Sequence, residues 1–195
     1  MDEIIKQIND PELLSQIAKV VPFHGYLSTG AFIGIQMFNI AKDALGFQDG
    51  ERIYVTCETY NCIPDAFQVL AGATIGNNGM RIVDSGKMAV VVNRQVPTGV
   101  TSARGIRIYL EPDKTEKYPK LHAWYLNTEK VPHEEVIPEL LKAGEDVYSH
   151  EIIDIAIPAK PVKCIKMCEE CGECFVPHGE ETLCGACDGT GGVRR

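Results

Sequence analysis

Residues 164–187, CIKMCEECGECFVPHGEETLCGAC, hold six of the eight cysteines in the chain. Cys168 and Cys171 are two residues apart, Gly172 follows, and after twelve intervening residues the same spacing returns at Cys184 and Cys187. Two such pairs supply four thiolates to one tetrahedral Zn²⁺. Thiolates are soft ligands, which favours zinc and leaves iron as the competitor. Cys171 and Cys174 make an overlapping pair, but the glycine after Cys171 lets backbone amides turn toward its thiolate, which selects Cys168 and Cys171. Cys174 stays open as a substitute for Cys168, and His178 as a substitute for a thiolate; Cys164 is spare. A secreted disulfide framework spreads its cysteines along the chain, whereas clustered pairs point to metal. So short a segment cannot build its own apolar interior, and metal binding becomes most of its folding energy. Four protein ligands leave no open position, so this zinc is structural.

Upstream, Pro158, Pro161 and the lysines around them read as a linker. Residues 1–160 are then one domain and residues 161–195 a second, small one. The net charge of −8 is spread over both, with four Lys/Arg against six Asp/Glu in residues 161–195. Neither part has the basic excess that phosphate contacts demand, so nucleic acid is not an expected partner. The composition, 45% hydrophobic and 24% charged, is that of a globular protein. The longest apolar runs, such as Met88–Val92, are too short to span a bilayer. Met1-Asp2-Glu3 is not the start of an apolar signal, and a cytoplasmic location is expected.

Residues 3–20 carry apolar side chains at helical spacing, with a fresh start at Pro11 after Asp10 as N-cap. Residues 22–30 read as a glycine-bearing loop, and residues 31–45 as a buried helix closed by Gly46. Strands are expected at 51–57, 80–83, 87–93, 105–110 and 152–157, with 80–83 and 87–93 joined as a hairpin at Ser85-Gly86. Helices are expected at 65–71, after Pro64, and at 114–126 and 133–142. Without regular βαβ alternation this is an α+β fold with a mixed or antiparallel sheet and packed helices. Trp124 and Tyr125 belong to the core or a dimer interface.

Within this core, His24 sits between Phe23 and Gly25 just before the buried helix. It is either a loop histidine bonded to backbone or a general base or metal ligand. Cys62 precedes a proline-started helix, where the positive end of the dipole favours a thiolate; the alternative is an inert thiol. If they meet, they form a thiolate–imidazole pair or two metal ligands. Ser28 adds a hydroxyl ligand or proton carrier. Asp65 caps its helix or shares a pocket with Gln68, three residues on. Lys87 meets an anion or is solvated.

Three stretches carry a family resemblance: Phe23-His24-Gly25-Tyr26-Leu27-Ser28-Thr29-Gly30; Cys57 to Leu70 (CETYNCIPDAFQVL) followed by Gly72 and Thr74-Ile75-Gly76; and Asp84-Ser85-Gly86-Lys87-Met88-Ala89. They are similar to the FHGHxCPG, ET-x2-C-x2-DA-x-Q-x2-TG-x-T-x-G and DxGKxA patterns of FmdE, a family of formylmethanofuran dehydrogenase subunits. The cysteine segment resembles the treble-clef zinc finger that some members append. The resemblance implies an α+β core, a homodimer, a treble-clef extension, and a link to molybdenum or tungsten formylmethanofuran dehydrogenase and methanogenesis. It also implies a metal or thiol site built from a loop Cys, a His and the Cys at position 62. Here the pattern is altered: Tyr26 stands where the family has His, and Ser28 and Thr29 where it has Cys and Pro. His24, Cys62, Asp65 and Gln68 are kept, and Cys57 is the nearest thiol to replace the one absent at position 28.

Three functions compete. The first is an accessory protein with a small-molecule or metal pocket around His24, Tyr26, Ser28, Cys62, Asp65, Gln68 and Lys87, and a zinc finger that docks a protein partner or steadies the dimer. The second is an enzyme using His24 and Cys62 on a one-carbon or pterin-linked substrate. The third is a zinc-finger regulator of protein or nucleic acid.

Overall fold

The computed structural model describes residues 2–157, 164–177 and 179–190. They fall into two compact units, residues 1–157 and residues 158–195. The expected linker prolines, Pro158 and Pro161, and the alternative ligand His178 lie outside the described residues.

In the first unit the order is α1 (Asp2–Ile5), α2 (Pro11–His24), α3 (Thr29–Leu45), β1 (Ile53–Cys57), α4 (Ile63–Ala71), β2 (Met80–Ile82), β3 (Ala89–Arg94), β4 (Ser102–Leu110), α5 (Pro112–Thr115), α6 (Pro119–Tyr125), α7 (His133–Ala143) and β5 (Tyr148–Ala156). The sheet runs β2-β1-β3-β4-β5; β1 and β2 are parallel and every other pairing is antiparallel. This is an α+β fold on a mixed sheet.

Register puts the apolar set on one face. Val55 pairs with Val92 and Val92 with Ile106, while Cys57 pairs with Val90 and Val90 with Ile108; all six are buried. Successive strand residues point to opposite faces, so this row is one wall of the core. Against it lies α3, whose Ala31, Phe32, Ile33, Ile35 and Met37 are fully covered. Helices α2, α4 and α7 enclose α3 on its other sides. A helix apolar nearly all round has to be buried, as the composition of residues 31–45 implies.

The tightest helix contact is between α3 and α4, and glycine permits it. A methyl on Gly34 would come within 3.0 Å of both the Ala66 Cβ and the Ile63 carbonyl oxygen. One turn earlier, a methyl on Gly30 would sit 2.8 Å from the Cys62 Cβ.

Three expectations are corrected. Residues 22–24 are helical, not loop: Pro22 sits exposed in the last turn of α2, where its missing N–H removes one helix bond. The Gly25 N–H caps the helix on the Val21 carbonyl at 2.8 Å, which leaves His24 as the last helical residue. Next, β2 and β3 are not a hairpin, because β1 lies between them. The connecting segment wraps the end of β1: Val83 N–H donates to the Cys57 carbonyl, and Ser85 and Lys87 N–H to the Glu58 carbonyl. It thus leaves one edge of β1 and returns on the other. Finally, the helix expected at 114–126 is split in two by Pro119, because a residue before proline is driven from the helical region and Tyr118 sits at φ −126°, ψ 83°.

In the second unit, β6 (Lys166–Met167) and β7 (Cys174–Phe175) pair antiparallel.

Replacing Gly34 by valine forces α3 and α4 apart. Over-packing of this kind costs about 1–3 kcal/mol. Urea unfolding of Gly34→Val is expected to show a lower midpoint at an unchanged slope.

Candidate functional site

The core site forms where the end of α2, the start of α3 and the start of α4 converge. His24 uses both ring nitrogens. Its Nδ1 is 2.7 Å from Asp65 Oδ2, and its Nε2 is 2.9 Å from Ser28 Oγ. A carboxylate only accepts, so Nδ1 carries a proton; in the neutral ring Nε2 is then an acceptor, and the Ser28 hydroxyl donates to it. Ser28 is the N-cap of α3, and its Oγ also accepts the Ala31 N–H at 3.0 Å. Burial is graded along this chain of bonds: the side chain of Asp65 is 27% exposed, that of His24 11%, and Ser28 is 2% exposed.

Aromatic rings fix the imidazole. Tyr26 packs against His24 at 5.4 Å between centroids and against His133 at 5.7 Å, the rings tilted by 50° and 39°. His133, the first residue of α7, accepts at Nδ1 from the Thr29 N–H at 3.2 Å and lies 2.9 Å from Thr29 Oγ1. No local pattern in the sequence signals this role, since Thr29 and His133 lie far apart along the chain. Only the packing of α7 against α3 joins them.

Cys62 is the N-cap of α4 at φ 50°, ψ −49°, with no side-chain cap bond. Such a backbone costs a non-glycine residue about 1–3 kcal/mol and persists only where its surroundings enforce it. Here the enforcing neighbour is α3, whose Gly30 leaves room for the thiol. His24 is therefore bonded to Asp65 and Ser28, while Cys62 faces Gly30. Gln68 Nε2 reaches Asp65 Oδ1 at 3.5 Å, at the outer limit of a hydrogen bond. Lys87 is exposed, and its charge acts on Glu58. Cys57 faces the apolar core, and burial pushes its thiol up to about 12, so it is not a replacement for a reactive thiolate at position 28.

The resemblance implies a metal or thiol site in the core, and the donor set present does not fit a metal. The residue at position 28 is a hydroxyl, not a thiol, and it already occupies His24 Nε2. Among the described residues, the only group of three or more Cys, His, Asp or Glu donors gathered for a metal is Cys168, Cys171, Cys184 and Cys187.

The β1–α4 loop that presents Cys62 is braced by Glu58. Its carboxylate takes two bonds from Arg107, Oε1 from Nε at 2.6 Å and Oε2 from Nη2 at 3.0 Å, and a third from Ser85 Oγ at 3.3 Å. Arg107 hydrogen bonding holds the carboxyl below its ordinary 4.5.

In the second unit the four sulfur atoms of Cys168, Cys171, Cys184 and Cys187 lie within 4.8 Å of one another, with Cys171 and Cys184 Sγ at 3.9 Å. Tetrahedral zinc with sulfur ligands at about 2.3 Å needs sulfurs about 3.8 Å apart, so the cluster fits this ion. Backbone amides of Cys171 and Cys184 draw the Cys168 thiol down to about 6, whereas the hydrogen bond with Cys184 and burial hold the Cys187 thiol above its ordinary range. Four thiols this close do not all ionise without a cation among them. Cys164 and Cys174 are exposed and outside the cluster.

The profile of one family, described as "FmdE, Molybdenum formylmethanofuran dehydrogenase operon", matches residues 23–155, the span from the end of α2 through β5 that builds the core site. The chain belongs to the FmdE family. It is similar over its length to a solved FmdE-like protein of tungsten formylmethanofuran dehydrogenase type from Syntrophus aciditrophicus: 25% identity, TM-score 0.77, covering 93% of this chain and 95% of that one. It is also 26% identical, over an alignment of 202 residues, to an Archaeoglobus fulgidus protein described as "Probable S-adenosyl-L-methionine-binding protein". That alignment takes in 92% of this chain and 54% of the relative, so the chain spans about half the relative's length. Among the described residues, no helix is long and apolar enough to cross a membrane.

A carboxylate whose folded value is depressed adds stability that is fully present above its unfolded value and is lost as pH falls through the folded one. Glu58 is such a group. The stability difference between the native chain and Glu58→Gln, read by urea unfolding, is therefore expected to be present at neutral pH and to close as pH falls below 4.5.

Proposed function

We propose that this chain is a zinc-stabilised binding protein of the FmdE family, with a small-molecule site at the core around His24 and a structural Zn²⁺ in the C-terminal unit. The convergence of four cysteine sulfurs within 4.8 Å carries the metal half of this reading. The zinc has four protein ligands and no open position, so it orders its segment and does no chemistry. The segment adopts the treble-clef form, offers a docking face to a protein partner, and works in a reducing, cytoplasmic setting where its thiols stay unoxidised.

The core half rests on a polar centre with the Tyr26 ring against it and with exposed aromatic side chains nearby in the sequence: Phe23 is 57% exposed, Tyr26 50% and Tyr60 67%. All three lie within three residues of His24 or Cys62 in the sequence. Aromatic faces beside a few oriented polar groups suit a planar or cationic small molecule. The Archaeoglobus relative is described as binding S-adenosylmethionine, whose adenine and sulfonium have both features. A sulfonium or adenine ligand is therefore the first compound class to assay. The protein acts as a homodimer, in the accessory role that the family's operon description suggests.

Metal analysis of the purified chain is expected to give one zinc per chain, falling to zero in a Cys168→Ser/Cys171→Ser double variant. Zinc-free native protein with this segment ordered and its thiols reduced overturns the zinc assignment. Zinc retained in the double variant overturns the assignment of Cys168 and Cys171 as its required ligands.

A further inference from the structure

We propose that Asp65, His24 and Ser28 form a metal-independent catalytic relay in which Ser28 Oγ is the nucleophile toward the carbonyl of a short-chain ester or thioester. This rests on the reading that the core site is where a small molecule binds, and it holds whether or not the C-terminal unit carries zinc.

The geometry supplies each role in order. Asp65 Oδ2, 2.7 Å from His24 Nδ1, holds the ring with its proton on that nitrogen and balances the imidazolium when it forms. His24 Nε2, 2.9 Å from Ser28 Oγ, is within reach to take the hydroxyl proton. Ser28 Oγ stands at the N-terminus of the 17-residue helix α3 and accepts the Ala31 N–H, so negative charge developing on it is stabilised by a hydrogen bond and a helix dipole. The Tyr26 ring packed on His24 and the glycine contact between α3 and α4 fix the three elements on a rigid frame. A cap needs only the Ser28–Ala31 bond, and a buried histidine needs only satisfied nitrogens. A carboxylate, an imidazole and a hydroxyl joined in this sequence do more than either requires.

The chemistry balances with water as the only co-reactant. Ser28 Oγ bonds to the carbonyl carbon while its proton moves to His24 Nε2, and the carbonyl π pair passes to oxygen. First-turn amides have no intrahelical acceptor. Those of Thr29 and Ala31 go to His133 and Ser28, and the Gly30 N–H between them is the donor assigned to this oxyanion. Collapse of the intermediate breaks the bond to the leaving alcohol or thiol, which departs with the proton from His24. Water then attacks the Ser28 ester, giving its proton to His24. Release of the carboxylic acid returns the proton to Ser28 Oγ.

The test uses the full-length chain with two probes, a fluorophosphonate and p-nitrophenyl acetate. The expected result is one phosphonyl group per chain, mapped by peptide mass spectrometry to Ser28. A burst of about one equivalent of p-nitrophenol is also expected, with acid-trapped acetyl on the same residue. Asp65→Asn, which keeps the shape of the side chain, is expected to slow both reactions at least tenfold, and His24→Gln at least as much. Circular dichroism and zinc content, both unchanged, show that these variants are folded. Absence of label on Ser28 in the native, zinc-loaded chain overturns the proposal without need of any variant. So does labelling whose rate is untouched by Asp65→Asn and His24→Gln, because a purely structural hydrogen-bond chain gives one of these two outcomes.

Discussion

The close seam between α3 and α4 sets everything else in the core. Gly30 and Gly34 let the two helices approach to a distance that a single added methyl would violate. That approach places the start of α4 beside the start of α3, so Asp65 can reach the His24 ring from one side while Ser28 reaches it from the other. It also confines Cys62 in a left-handed backbone that a free chain would avoid. The two helices are in turn fixed by burial: α3 lies against the apolar row of β1, β3 and β4, and α4 is the crossover that makes β1 and β2 parallel. A site assembled from three helix ends has no loop long enough to drift.

The two units solve the problem of stability differently. Residues 1–157 own an apolar interior, and in their polar centre both His24 ring nitrogens and the Ser28 hydroxyl have protein partners. The cysteine unit has no comparable interior; among its described residues Cys168 is the single buried apolar side chain. Its cohesion must come from bonds through sulfur. The same element, sulfur, is therefore central in one unit and marginal in the other, where Cys57 is inert in the core.

The cysteine cluster is legible in the sequence because its chemistry is written in short spacing, and each thiolate pair is local. The start of α2 at Asp10-Pro11 and the buried character of α3 are legible for the same reason: capping and periodicity act within one or two turns. The strand order is not. Residues 83–88 look like a hairpin turn, and only their bonds to the end of β1 show that they carry the chain around it. His24, Ser28 and Asp65 each stand out as candidates, yet their union is hidden, because the sequence does not say which of several polar groups an imidazole will choose. His133 escapes notice altogether, being tied to Thr29 through tertiary packing alone.

The state of the His24 ring is where these lines meet, since the glycine seam, the departure from the family's Cys at position 28 and the relay all act through it. Long-range proton–nitrogen correlation spectra of the imidazole, assigned by comparison with His24→Gln, read that state directly. The expected spectrum shows the proton on Nδ1, hydrogen-bonded to Asp65, and Nε2 as an acceptor with no metal attached. A proton on Nε2, or a shift of Nε2 that disappears with a chelator, would contradict it.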